Sequence, residues 1–151
     1  MSTMVVLDAG PLGMLTNPAG SPLNADCRQW VERVLLRGDG VAVPEIADYE
    51  VRRELLRASK VEGLARLNSL RMLPAFVYLP LTTAAMDRAA EFWARARREH
   101  RPTASDSALD ADVIFAAQAA VPAERRHNVV IATTNPVHLA RLAPAALWTD
   151  L

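Results

Sequence analysis

What most constrains this chain is the alternation of short, wholly apolar runs with longer amphipathic stretches. Met4-Val5-Val6-Leu7, Val41-Ala42-Val43, Phe76-Val77-Tyr78-Leu79 and Val129-Val130-Ile131-Ala132 are continuous apolar segments closed by Asp, Asn, Gly or Pro nearby. Consecutive apolar positions suit a strand buried on both faces. Between them lie helical patterns: Asn24 to Leu36, with Trp30, Val31, Val34 and Leu35 apolar, Glu45 to Ala58 opened by Pro44, and Val61 to Leu70. Further helices are expected from a Thr82 or Thr83 cap to Glu99 and over Ser107 to Ala120, with a loop at His100 to Ser105. Pro136 to Arg141 reads as a short helix and Ala146-Leu147-Trp148 as a short final strand. Strands alternating with helices imply βαβ units. The expected fold is therefore α/β, a three-layer α/β/α arrangement around a mainly parallel sheet of four to five short strands.

The chain has 151 residues, which fits one domain spanning 1–151. A hydrophobic fraction of 51% supplies a core and excludes a disordered chain. Seventeen basic and seventeen acidic residues give zero formal charge, so no global basicity advertises nucleic acid. Lys60 is the only lysine; the arginine bias suits bidentate phosphate contacts, and a GC-rich coding sequence produces it equally. One cysteine, Cys27, excludes an internal disulfide, though not one between chains. No basic segment leads into a long apolar stretch, and no run approaches the roughly 20 residues that span a bilayer. A cytoplasmic protein without membrane attachment is expected.

Four polar positions suggest a site. Asp8 ends the first apolar run, and Thr133-Thr134-Asn135 follows the fourth. Groups just past the ends of buried strands are where open α/β sheets bind ligands. Asp112 shares a helical face with Leu109, Phe115, Ala116 and Ala119, where an unpaired carboxylate is costly unless neutralised or bound to a metal. Glu50 shares a stripe with Arg53 and Arg57. Each position has a plainer explanation. Asp8 could bond its own turn, Asp112 could sit in a helix's first turns, Glu50 could pair with an arginine, and Asn135 could cap the helix opened by Pro136. Together they make an oxygen-rich set suited to a hard divalent cation.

Other chemistries lack their residues. Gly10, Gly13 and Gly20 do not form G-x-G-x-x-G, and no G-x-x-x-x-G-K-[ST] loop occurs. His100, His127 and His138 with one cysteine give no zinc pattern. Asp8-Ala9-Gly10 lacks the second aspartate of a haloacid-dehalogenase D-x-D, and no G-x-S-x-G elbow is present.

The pattern resembles the PIN-domain family, which includes VapC-like toxin ribonucleases. Val5-Val6-Leu7-Asp8 matches its first strand and Ala47-Asp48-Tyr49-Glu50-Val51-Arg52-Arg53-Glu54-Leu55 a helix. Asp112-Val113-Ile114-Phe115-Ala116-Ala117-Gln118-Ala119 is close to D-x-x-I-A-A-x-A, and Thr133-Thr134-Asn135 answers T-x-[ND]. The resemblance implies a Mg²⁺- or Mn²⁺-dependent ribonuclease in which Asp8, Asp112 and Glu50 are metal residues. Glu50 would also handle the attacking water, and Asn135 and Thr133 would complete the catalytic set. It further implies RNA as substrate, an antitoxin protein as partner and a homodimer; the helices around Trp30 and Trp93 offer apolar surface for one, and core packing explains those tryptophans equally well. Arg52, Arg53, Arg57, Arg97, Arg98 and Arg101 are the arginines available to grip a nucleic-acid backbone, though a solvated helix surface accounts for at least half of them. Two departures stand out: Ala9-Gly10-Pro11 lacks the usual Ser or Thr after the first aspartate, and the fourth acid is the amide Asn135. The first departure and the zero net charge leave open a second reading, a PIN-fold nucleic-acid-binding module with little or no catalysis. A receiver-like phosphoacceptor would need paired acids after the first strand and a lysine after a late one, which Lys60, mid-chain, does not supply.

Overall fold

The computed structural model describes residues 2–99, 106–125 and 128–151, with the side chains of Asp106 and Ser107 outside the description. The loop expected at His100 to Ser105 falls outside the described residues. The strands are β1 (Met4–Leu7), β2 (Gly40–Pro44), β3 (Phe76–Leu79), β4 (Val129–Thr133) and β5 (Ala145–Leu147). The helices are α1 (Ala9–Thr16), α2 (Pro22–Leu36), α3 (Glu45–Arg57), α4 (Val61–Met72), α5 (Thr83–Arg98), α6 (Asp106–Ala123) and α7 (Pro136–Leu139), with a 3₁₀ turn over Trp148–Asp150.

All four strand pairings are parallel, in the order β3-β2-β1-β4-β5. Every residue of β1 is buried, and since neighbours point to opposite faces, the sheet is covered on both sides. This is the three-layer α/β/α arrangement. The chain builds β1, β2 and β3 towards one edge, then crosses to place β4 on the other side of β1. The carboxyl ends of β1 and β4 therefore flank the topological switch point, where open α/β sheets form a crevice.

The helix α1 was not expected from the sequence, because Gly10, Pro11 and Gly13 depress helix propensity. Three features override that cost. Asp8 caps the helix, its carboxylate accepting from the Ala9 N–H at 2.7 Å. Pro11 falls in the first turn, where its missing N–H has no helical partner anyway, and Pro11, Leu12 and Thr16 are buried. Helix starts elsewhere follow their caps: Ser21 accepts from Asn24 N and Thr82 from Ala85 N.

Two surface expectations change. Trp30 is buried against Trp148, ring centroids 5.6 Å apart, so of the two tryptophans suggested for a dimer surface only Trp93 is exposed. Cys27 is fully buried, and burial pushes its thiol up to about 11, which leaves it inert and out of reach of a second chain. Among the described residues, no helix is long and apolar enough to cross a membrane.

Candidate functional site

At the switch point stands Asp8. Its backbone N–H continues the β1–β4 ladder by donating to the Ala132 carbonyl at 3.0 Å. One carboxylate oxygen caps α1, and the other accepts from the Thr133 hydroxyl at 2.6 Å. Thr133, last in β4 and 1% exposed, is itself held because its oxygen accepts from the Asn135 N–H at 3.1 Å. Asp8 is thus fixed from two sides, each oxygen keeping a further lone pair for another donor or a cation.

Asn135 accepts from Val137 N at 3.3 Å and caps α7, with Pro136 at the first helical position. The expected capping is real, and Asn135 is exposed beside Thr133. The close approach of α1 to this loop depends on Gly10: a Cβ there would lie 2.8 Å from Thr134 Cγ2 and 3.0 Å from its hydroxyl. Thr134 therefore stands where any side chain at position 10 would begin. The sequence carried no signal for that close approach.

Glu50 on α3 and Asp112 on α6 are half-buried and electrostatically coupled to Asp8. Burial pushes the Glu50 carboxyl above the ordinary carboxylate range, Asp8 and Asp112 add to the rise, and Arg53 opposes it. Burial likewise raises Asp112, His138 opposes the rise and Asp8 adds to it. The ion pair that would have explained Glu50 plainly takes another form: Arg57 bonds Glu54, and Arg53 lies over the Tyr49 ring. His138 becomes a neighbour of Asp112 only through the folding of α7 onto α6, which no local pattern marks. It shares a cavity of about 30 Å³ with Asp112, Arg95 and Arg141. Asp110 is exposed, as its position on another face of α6 implied.

Three carboxylates, Asp8 just after β1, Glu50 on α3 and Asp112 on α6, therefore feel one another's charge, although Glu50 lines one cavity, Asp112 another and Asp8 neither. Among the described residues, no three acidic, histidine or cysteine side chains stand close enough to enclose an ion by themselves. Oxygen-only donors that leave part of the shell open fit Mg²⁺ or Mn²⁺, which bind through one or two carboxylates and keep several waters. From Glu50 a cleft of about 1080 Å³ runs between α1 and the α3–α4 turn, lined in part by Arg53, Arg57 and Lys60. Glu50 alone of the three acids lines it.

Asp48 and Arg52, in the same helical segment as Glu50, serve a different purpose. Asp48 is 1% exposed and accepts from both Arg52 and Arg71, while Arg52 also bonds Asn68. Arg52 is thereby committed to the α3–α4 packing and not free to grip a nucleic acid. Arg97 lies over Trp93, Arg98 is exposed, and Arg101 falls outside the described residues.

The PIN domain family model matches residues 5–143. Among solved structures, the fold is similar to VapBC2 from Rickettsia felis, a structure bound to a DNA fragment from their promoter. The TM-score is 0.66 at 13% identity, covering 97% of this chain and 99% of that one. It is also similar to Mycobacterium tuberculosis VapC20, described as a Sarcin-Ricin loop cleaving toxin. There the TM-score is 0.57 at 14% identity, covering 84% of this chain and 86% of that one. No curated protein matches the chain. At such identities the structural likeness speaks for the fold, and the family match, running from within β1 to just before β5, says the rest: this chain belongs to the PIN domain family.

Proposed function

We propose that the protein is a Mg²⁺- or Mn²⁺-dependent endoribonuclease acting in the cytoplasm, and the toxin of a toxin–antitoxin pair. What supports this reading is the fixed Asp8 carboxylate at the switch point, with Glu50 and Asp112 within range of its charge and both raised by burial and by acidic neighbours. Asp8 and Asp112 would hold the cation, with Glu50 contributing. When bound, the ion supplies Lewis-acid stabilisation of charge developing on the phosphodiester.

The chain's own residues would do the remaining work. Glu50 orients a water and takes its proton onto a carboxylate whose raised affinity for protons suits a general base. Thr133 keeps Asp8 in one orientation through the 2.6 Å bond. Asn135, already held by its cap, positions a water or phosphate oxygen at the rim. Arg53 lines the cleft together with Glu50, where it could contact a phosphate of the RNA. The two similar structures, one a VapBC2 and one a VapC toxin, support the antitoxin as partner, and the exposed Trp93 is the apolar surface offered for a homodimer.

The test incubates purified protein with structured and single-stranded RNA plus Mn²⁺, alongside Asp8→Asn and Asp112→Asn. The parent chain should cleave, and each variant should lose at least about a hundredfold in rate. Equal cleavage by all three would trace the activity to a contaminant and overturn the assignment. Metal-dependent RNA binding without cleavage would favour the binding module that the Ala9-Gly10-Pro11 departure suggests. Growth arrest on expression of the parent and not of Asp112→Asn is the expected outcome for a toxin.

A further inference from the structure

Gln118 on α6 is 2% exposed, and both ends of its amide are used between separate elements. Its Oε1 accepts from the Ile46 N–H at 3.0 Å, and its Nε2 donates to the Leu79 carbonyl at 2.8 Å. The first bond fills a gap in α3. Pro44 is the N-cap there and offers no side-chain acceptor, so the first-turn N–H groups need one from elsewhere. Gln118 provides it from a helix 72 residues away in sequence. The second bond takes the last carbonyl of β3, while Leu81, just beyond, donates to the Glu45 carboxylate at 3.1 Å. The start of α3, the end of β3 and the middle of α6 thus share one polar junction.

This junction lies between the two helices that carry site acids. Glu50 is about one turn beyond Ile46 on α3, and Asp112 is between one and two turns before Gln118 on α6. Carboxylates on separate elements push those elements apart until a cation joins them. Whatever holds the helices must do so without adding charge. A buried amide with donor and acceptor both satisfied meets that requirement and fixes direction as well as distance.

We infer that Gln118 is a positioning residue: it pins α3 to α6 so that Glu50 and Asp112 keep the separation at which one hydrated divalent cation is shared. This role rests on the functional reading above. Gln118→Met keeps the volume and removes both bonds. Gln118→Asn, too short to reach both partners, is a second variant with the same expectation. Gln118→Glu is the rescue, because a carboxyl buried against the Leu79 carbonyl stays protonated and can still accept and donate.

Three readouts separate the outcomes: Mn²⁺ affinity by calorimetry without RNA, kcat and KM for RNA, and amide exchange at Ile46 without metal. Gln118→Met should exchange faster at Ile46, bind Mn²⁺ about tenfold more weakly and lose kcat in proportion. Its KM should stay within about threefold, and Gln118→Glu should restore all of these. A Gln118→Met chain that melts earlier yet binds Mn²⁺ and cleaves like the parent would make the residue merely structural and overturn this role alone. A parent chain whose Mn²⁺ affinity is indifferent to Asp112→Asn would overturn the functional reading, and this role with it.

Discussion

Asp112→Asn and Glu50→Gln should unfold at higher temperature than the parent at pH 8 in the absence of metal, while cleaving RNA about a hundredfold or more slowly. Both carboxyls are raised by burial and by acidic neighbours, Asp8 in each case and Asp112 as well for Glu50. Between the ordinary carboxyl range and those raised values, the folded chain binds more protons than the unfolded one. Stability from this source is therefore full below the ordinary range and lost as pH rises through the raised values. Above them, each charge opposes folding, and removing one gives back about 0.5–2 kcal/mol, a size common when a functional strain is relieved. For a chain of this length that is a rise of a few degrees, at about 2–4 °C per kcal/mol.

Two controls make the result specific. The gain should shrink as pH falls towards 4, where the parent's carboxyls take up protons and cease to differ from the amides. Saturating Mn²⁺ should reverse the order: at a hundred times its dissociation constant a ligand stabilises by about 2.7 kcal/mol, and only the parent has the full donor set. Calorimetric melting of the three chains at pH 8 and pH 5, with and without Mn²⁺, reads all of this. Variants less stable than the parent at pH 8 without metal would mean that the carboxylates support the fold and do not strain it.

The candidate site was legible in the sequence because most of its members sit where backbone pattern is strongest. Asp8 closes a run buried at all four positions, and Thr133 ends another, so strand periodicity located both to the residue. Asp112 stood out as a charge on an apolar helical face. The fold class followed from the same alternation, since runs without polar interruption demand cover on both sides. Other parts depend on contacts between distant segments, which no local pattern encodes. The α1 helix needed the Asp8 cap and the burial of Leu12 to outweigh two glycines and a proline. Thr134 filling the space above Gly10 and Gln118 reaching Ile46 are tertiary matches between segments more than 70 residues apart. Within α3, local pattern could not separate Glu50 from Asp48, because both are acids on one helix and only the packing of α4 and β3 distinguishes their faces.

That distinction gives the largest expected loss of stability. Asp48→Ala should cost about 3 kcal/mol and lower the melting midpoint by roughly 6–12 °C, while leaving cleavage at low temperature within a few-fold of the parent. Asp48 lies two positions before Glu50, about 200° around the helix, and faces α4 instead of the crevice. One oxygen accepts from Arg52 Nε at 2.8 Å and Arg71 Nη2 at 2.9 Å, and the other from the same two guanidiniums at 3.2 Å each. Arg71 also lies over Tyr78, whose hydroxyl donates to Glu45 at 2.8 Å. Burial, reinforced by that bond, pushes the Tyr78 hydroxyl up to about 12, so it stays a donor throughout the physiological range.

Without Asp48, two like charges face an emptied buried position. Their side chains are 24% and 40% exposed, so water relieves part of the cost and keeps it at the low end for a broken buried pair. Replacing all three charged residues by apolar ones of similar volume should recover much of the loss, which a merely lost contact would not allow. If Asp48→Ala instead abolished cleavage with the melting midpoint unmoved, Asp48 rather than Glu50 would be the acid that this helix contributes to the site.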